Sequence, residues 1–140
     1  MNHSKLVTAF IATIWNKRDY AQLNDFLHPD FQDHSLPPSF PADKDGLRKW
    51  IDSTGASFEH TTIIEDLVTE NDRSIARIRM MLKHIGNWRG IAATGIDLST
   101  TGYRQFNFRD GRIVAHRALI DGQTIEHLLK GASQGCKAAT

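Results

Sequence analysis

The chain has 140 residues, 40% of them hydrophobic and 24% charged, with 17 Lys+Arg against 16 Asp+Glu and a formal net charge of +1. That balance excludes the strong positive field on which nucleic-acid backbones and anionic membranes depend, so neither is an expected partner. The length suits one domain with its own core and room for an internal pocket, and the single Cys136 rules out an intramolecular disulfide. A reducing compartment, by default the cytoplasm, is the expected location. The N-terminal residues lack the features of a secretory leader, and no run approaches the ~20 apolar residues of a membrane-spanning helix.

Taken in chain order, Leu6, Val7, Phe10, Ile11, Ile14 and Trp15 recur at three- and four-residue spacing and predict an amphipathic helix. Asp19 is the expected cap of a second helix carrying Tyr20, Leu23, Phe26 and Leu27, which Pro29 ends. Residues 31–34 are expected to be extended. The stretch 35–41 contains three of the four prolines and reads as a loop or lid. Asp43 or Asp45 then starts a third helix with Leu47, Trp50 and Ile51 facing inward, and Gly55 lies near its end.

Beyond residue 58 the period changes from helical to alternating. Strands are predicted over 61–68, 74–84, 98–108 and 113–120, with turns at 70–73 and at Asp110-Gly111, and a short helix over 123–129 closes the pattern. In the second of these strands Ala76, Ile78, Met80, Leu82 and His84 share one face, and Arg77, Arg79 and Lys83 the other. Helices followed by long antiparallel strands define an α+β class. A cone-shaped, curved antiparallel sheet with the N-terminal helices on its concave face would enclose a cavity suited to a ligand. One domain over residues 1–130 is expected, followed by a flexible tail at 131–140 rich in Gly, Ala and Ser.

Four stretches in order carry a resemblance. They are Trp15-Asn16-Lys17-Arg18-Asp19-Tyr20 with Phe26-Leu27-His28-Pro29-Asp30-Phe31 and Asp33-His34; Asn71-Asp72-Arg73 through Arg77; Gly90-Ile91-Ala92-Ala93-Thr94-Gly95; and Phe108-Arg109-Asp110-Gly111-Arg112-Ile113-Val114 ending at Asp121. Together they resemble the SnoaL-like polyketide cyclases of the nuclear-transport-factor-2-like superfamily over residues 6–125. The resemblance implies an α+β barrel that forms homodimers or homotetramers and uses neither metal nor organic cofactor. It also implies a pocket aspartate that removes a proton next to a carbonyl, so that the enolate closes a ring by intramolecular aldol addition. Asp121 is the matching position, and His34 matches a pocket histidine. Two positions depart from the family pattern, both towards positive charge: Arg104 on the third long strand and Arg117 four residues before Asp121. Arg117 is expected either to pair with Asp121 and lower its pKa or, with Arg104, to hold a substrate oxygen.

Each candidate has a plainer alternative. Asp121 reads as a general base or as the N-cap of the last helix, and His34 as a substrate hydrogen-bond donor or as a histidine satisfied by local backbone. Trp15, Phe31, Trp50, Met80 and Trp88 line a pocket for an apolar carbonyl compound or simply fill the core, with Trp88 at the pocket mouth. His84, on the inward strand face, is read as pocket lining or as a core residue, whereas His60 and His116 are read as surface positions. No metal-ligand spacing occurs, and there is no Gly-x-Ser-x-Gly nucleophile elbow. The expected function is cofactor-independent acid/base chemistry of the cyclase type, a lyase or isomerase reaction. The alternatives are an epoxide-hydrolase- or ketosteroid-isomerase-like enzyme and a non-catalytic binding or assembly module.

Overall fold

The computed structural model describes residues 2–138, with side chains to residue 133. Helix α1 (His3–Phe10) is capped by Asn2, which accepts from the Lys5 amide, and it continues as a single π-helical segment over Ile11–Asn16. All six apolar residues of the predicted stripe are buried. The wider π turn leaves Asn16 facing the edge of the sheet, where its amide donates to the Thr62 carbonyl and accepts from the Thr62 amide. This side chain thus supplies the hydrogen bonds of a missing neighbouring strand.

The predicted second helix is shorter than expected, a 3-10 turn at Tyr20–Gln22 followed by α2 (Leu23–Phe26). Asp19 does not cap it with its side chain; the first turn closes on the Asp19 carbonyl instead. Strand β1 (Leu27–Asp33) begins before Pro29 and lies at one edge of the sheet, where a missing backbone donor is tolerated. After the proline-rich loop, α3 (Lys44–Ser57) starts at Asp43, whose carboxylate accepts from the Gly46 amide.

Four long strands follow: β2 (Phe58–Glu70), β3 (Arg73–His84), β4 (Asp97–Arg109) and β5 (Arg112–Ile120). The curved, unclosed sheet has the order β1-β5-β4-β3-β2, with β1 parallel to β5 and every other pairing antiparallel. The β4–β5 turn has positive φ at both Asp110 and Gly111, the backbone twist a tight hairpin prefers. Alternation on β3 matches the expectation, with Ala76, Ile78, Met80, Leu82 and His84 all buried. The expected α+β architecture is therefore the one the chain adopts.

Register in β5 is what decides the site. Asn107 opposes Ala115 while Phe108 opposes Ile113, so Val114 is an extra residue in the strand, a β-bulge. Before the bulge Ile113 points into the core; after it the inward side chains are His116, Ala118 and Ile120, and Arg117, Leu119 and Asp121 fall on the outer face or the strand end. A one-residue offset of this kind exchanges the two faces of everything downstream. Helix α4 (Gly122–Ala138) runs past residue 129, where the sequence pattern ends it, and buries Ile125 and Leu129. Cys136 lies outside the described side chains.

Candidate active site

A cavity of about 650 Å³ opens between the π-helical segment, α3, the proline-rich loop, the start of α4 and the inner face of the sheet, a size in the usual range for small-molecule sites. Its walls are mainly apolar, with Trp15, Trp50, Phe58, Met80, Leu82 and Trp88 among them. Three polar side chains come together in it: Asp33 at the end of β1, His116 on β5 and Arg104 on β4. Asp33 and His116 are direct partners across the parallel β1–β5 pairing, and His116 lies opposite Phe106 across β4–β5. Arg104 is flanked by Ala118 on β5 and Ala76 on β3, small neighbours that leave space for its guanidinium.

The three groups form a chain of contacts. Asp33 Oδ2 accepts from His116 Nδ1 at 2.8 Å, and Asp33 Oδ1 accepts from the Ser35 amide at 2.9 Å and its hydroxyl at 2.6 Å. Arg104 Nη1 lies 3.4 Å from His116 Nε2, and the Arg104 guanidinium sits 4.2 Å from the centroid of the Trp15 ring. A guanidinium only donates and a carboxylate only accepts, so these neighbours fix one tautomer: the proton on Nδ1, the lone pair on Nε2.

Burial governs the charges. It lowers the pKa of Arg104 to about 10, partly offset by the Asp33 carboxylate, and the side chain stays cationic at neutral pH. His116 is held below the ordinary imidazole value, chiefly by burial and further by Arg104, although its hydrogen bond to Asp33 acts the other way. Burial raises Asp33, but hydrogen bonds from His116 and Ser35 outweigh it, so its carboxyl is held below the usual range. The site is then a neutral imidazole between a carboxylate and a guanidinium, with its Nε2 lone pair turned towards Arg104.

The residues singled out from the sequence divide clearly. Arg104, Trp15, Trp50, Met80 and Trp88 line the cavity. Phe31 is buried in the core and is not part of the lining. His84 is fully buried, but its Nδ1 accepts from the Thr94 amide at 3.1 Å and lies 3.0 Å from the Thr94 hydroxyl, which anchors the turn before β4 rather than the cavity wall. His34 is exposed, because alternation along β1 turns Asp33 inward and its neighbour outward.

Asp121 is exposed and caps α4, accepting from the Thr124 amide at 3.0 Å and the Thr124 hydroxyl at 2.6 Å; these bonds lower its pKa. Arg117 is exposed on the outer face and makes no ion pair with it among the described residues. The structure therefore brings neither Asp121, Arg117 nor His34 to the cavity. His116 is buried, not a surface residue, and the expectation for His60 also needs correcting: its ring is half-buried edge-on to Trp15, with neither nitrogen hydrogen-bonded. Asp33 was legible as the acid two residues after the apolar Phe31, on the same face of an extended segment. His116 carried no such signal, because the bulge at Val114 reverses the face that simple alternation assigns to it.

The model of the SnoaL-like polyketide cyclases matches residues 5–129, almost the whole described chain. The chain belongs to that family. Solved structures agree on the SnoaL-like fold. IdmH of Streptomyces antibioticus, a proposed polyketide cyclase, is 26% identical with a TM-score of 0.81, over 91% of this chain and 97% of its own. TsrD of Streptomyces laurentii is 24% identical with a TM-score of 0.80, over 92% and 97%. AclR of Streptomyces galilaeus, a proposed hydroxylase, is 22% identical with a TM-score of 0.78, over 91% and 95%. No curated protein matches the chain. Members of one fold family thus carry differing functional descriptions, and the chemistry has to be argued from the cavity itself.

Proposed function

We propose that this SnoaL-like protein is a cyclase-type enzyme that uses His116 as its general base on an apolar carbonyl compound. The observation that carries the reading is the Asp33–His116–Arg104 chain set into a largely apolar cavity. Asp33 orients the imidazole and stabilises the positive charge it gains. His116 Nε2 takes a proton from a carbon next to the substrate carbonyl, and the C–H bonding pair becomes the enolate. Arg104 faces the same lone pair and donates to the developing enolate oxygen, a charge that a preorganised donor in a dry site stabilises by several kcal/mol. The enolate carbon then attacks a second carbonyl of the same molecule, and the resulting alkoxide recovers the proton from Nε2. Every atom is conserved, and the base returns to its starting state.

The same reading includes a homodimer. Ile63, Val68, Ile75, Met81, Tyr103 and Leu119 are exposed large apolar residues on the strands, Leu119 to 78%. Tyr103 stands between Arg77 and Leu119 across the register, an apolar and arginine mixture typical of subunit contacts. No helix among the described residues is long and apolar enough to cross a membrane.

The test is turnover of a panel of aromatic β-dicarbonyl compounds by the wild type and by His116→Gln. The expected result is ring closure by the wild type, and binding with little turnover by the variant. Equal turnover by both would overturn the assignment of the base. Binding without turnover by the wild type would favour a non-catalytic binding module.

A further inference from the structure

The proposed chemistry leaves one charged group of the cavity unused. Arg89 lines the cavity in the connection between β3 and β4, where Trp88 and Ile91 exchange backbone hydrogen bonds across a two-residue turn. Both turn residues have positive φ, +48° at Arg89 and +77° at Gly90. Such a turn ordinarily takes Asn or Asp in its first position, and a long side chain there is strained. The guanidinium lies 4.4 Å from the centroid of the Trp88 ring and against the first residue of α4, Gly122. A Cβ on Gly122 would come within 2.8 Å of the guanidinium, so a side chain there would push the end of Arg89 aside.

Among the described residues Arg89 makes no ion pair. Asp121, the residue before Gly122, directs its carboxylate to Thr124 instead. Asp33 is the sole carboxylate among the lining residues, which include two guanidiniums, Arg104 and Arg89. With His116 neutral near pH 7, the lining carries one unbalanced positive charge. The other lining residues are uncharged, so the exposed guanidinium of Arg89 has no charged partner among them.

We propose that Arg89 is the binding site for a carboxylate of the substrate, so that the protein acts on a carbonyl compound that is also an acid. This rests on the reading of the cavity as a substrate site. The carboxylate would sit at the Trp88 and Gly122 wall, where the stacked guanidinium offers a two-pronged donor edge. The apolar body of the molecule would extend along the tryptophan-lined wall, and its reacting carbonyl would lie at Arg104 and His116. A molecule held at both ends presents one carbon to Nε2, which supplies the positioning that proton removal requires.

The test is binding rather than turnover, so it is independent of the identity of the base. Calorimetric titration compares 1-naphthaleneacetate with its methyl ester on the wild type, Arg89→Gln and Gly122→Ala. The wild type is expected to prefer the acid about tenfold, equivalent to about 1.4 kcal/mol. Arg89→Gln should abolish the preference by weakening acid binding alone. Gly122→Ala, which displaces the guanidinium but keeps its charge, should reduce it. Equal affinity of the wild type for acid and ester, failure of the acid to bind, or a preference that survives Arg89→Gln would overturn the proposal. Equal affinity for the two probes would leave the assignment of His116 standing, since that is tested by turnover of the His116 variant and by the protonation of the ring.

Discussion

Asp33 and Asp121 bind their own chain in closely similar ways, yet only one of them faces the cavity. Each carboxylate accepts from the amide and the hydroxyl of a residue just downstream, Ser35 for Asp33 and Thr124 for Asp121. Both carboxyls are held below their usual pKa range. The difference lies in the second oxygen and the surroundings. The free oxygen of Asp33 meets His116 inside the fold, whereas both oxygens of Asp121 are occupied by Thr124 at an exposed helix start. A hydrogen-bonded aspartate at a strand end is thus a local motif, and its chemistry depends on which way the strand turns it.

The largest effect that could break this comparison belongs to the imidazole. His116→Gln is expected to lower kcat by about 10²–10⁴, the usual contribution of a positioned acid/base group, with folding retained in a melting curve. Loss of less than tenfold would remove His116 from the chemistry. Asp33→Asn should also lower kcat by a large factor, because an amide can bind the other ring tautomer. It should also shift the acid limb of the pH profile downward, since Asp33 favours the protonated ring. A variant with unchanged kcat and an unchanged profile would show Asp33 to be structural.

Arg104 sharpens the same contrast by separating stability from function. Its Nε is buried without a hydrogen-bond partner, a cost that an apolar side chain of similar length avoids. Arg104→Met is therefore expected to keep or raise the Tm while turnover falls. A clear drop in Tm with turnover intact would make the arginine a structural element.

Smaller effects concern pH and the cap. His60 takes a proton at about 4 in the folded chain, because burial and the charges of Arg18 and Arg104 oppose it, against 6.5 when unfolded. Between those values the unfolded chain binds more protons, so His60 contributes a loss of stability as the pH falls from 6.5 to about 4. His60→Leu should flatten that part of the Tm-against-pH curve, and an unchanged slope would contradict the assignment. Asp121→Asn, which keeps a capping side chain, should leave turnover and Tm nearly unchanged, whereas Asp121→Ala should lower the Tm slightly. Loss of turnover in the asparagine variant would restore Asp121 as the base.

Most of the architecture was legible because it depends on period. Three- and four-residue spacing marked residues 6–15, alternation marked β3, and Asp110-Gly111 marked its turn. The site was less legible because it depends on phase. An extra residue at Val114 moves His116 inward and Arg117 outward, and nothing in the residue types near it announces the shift. At Asp33-His34 the sequence placed the two side chains on opposite faces, but the family resemblance drew attention to the histidine rather than the acid. Arg104 was singled out as a departure towards positive charge, and the structure places it in the cavity.

The most direct measurement is ring-nitrogen NMR of His116 in the wild type, which needs no substrate. The account predicts a neutral imidazole near pH 7 with its proton on Nδ1 and a lone pair on Nε2, gaining a second proton only below 6.5. A proton on Nε2, or a ring that titrates at or above 6.5, would contradict the claim that His116 is poised as the base.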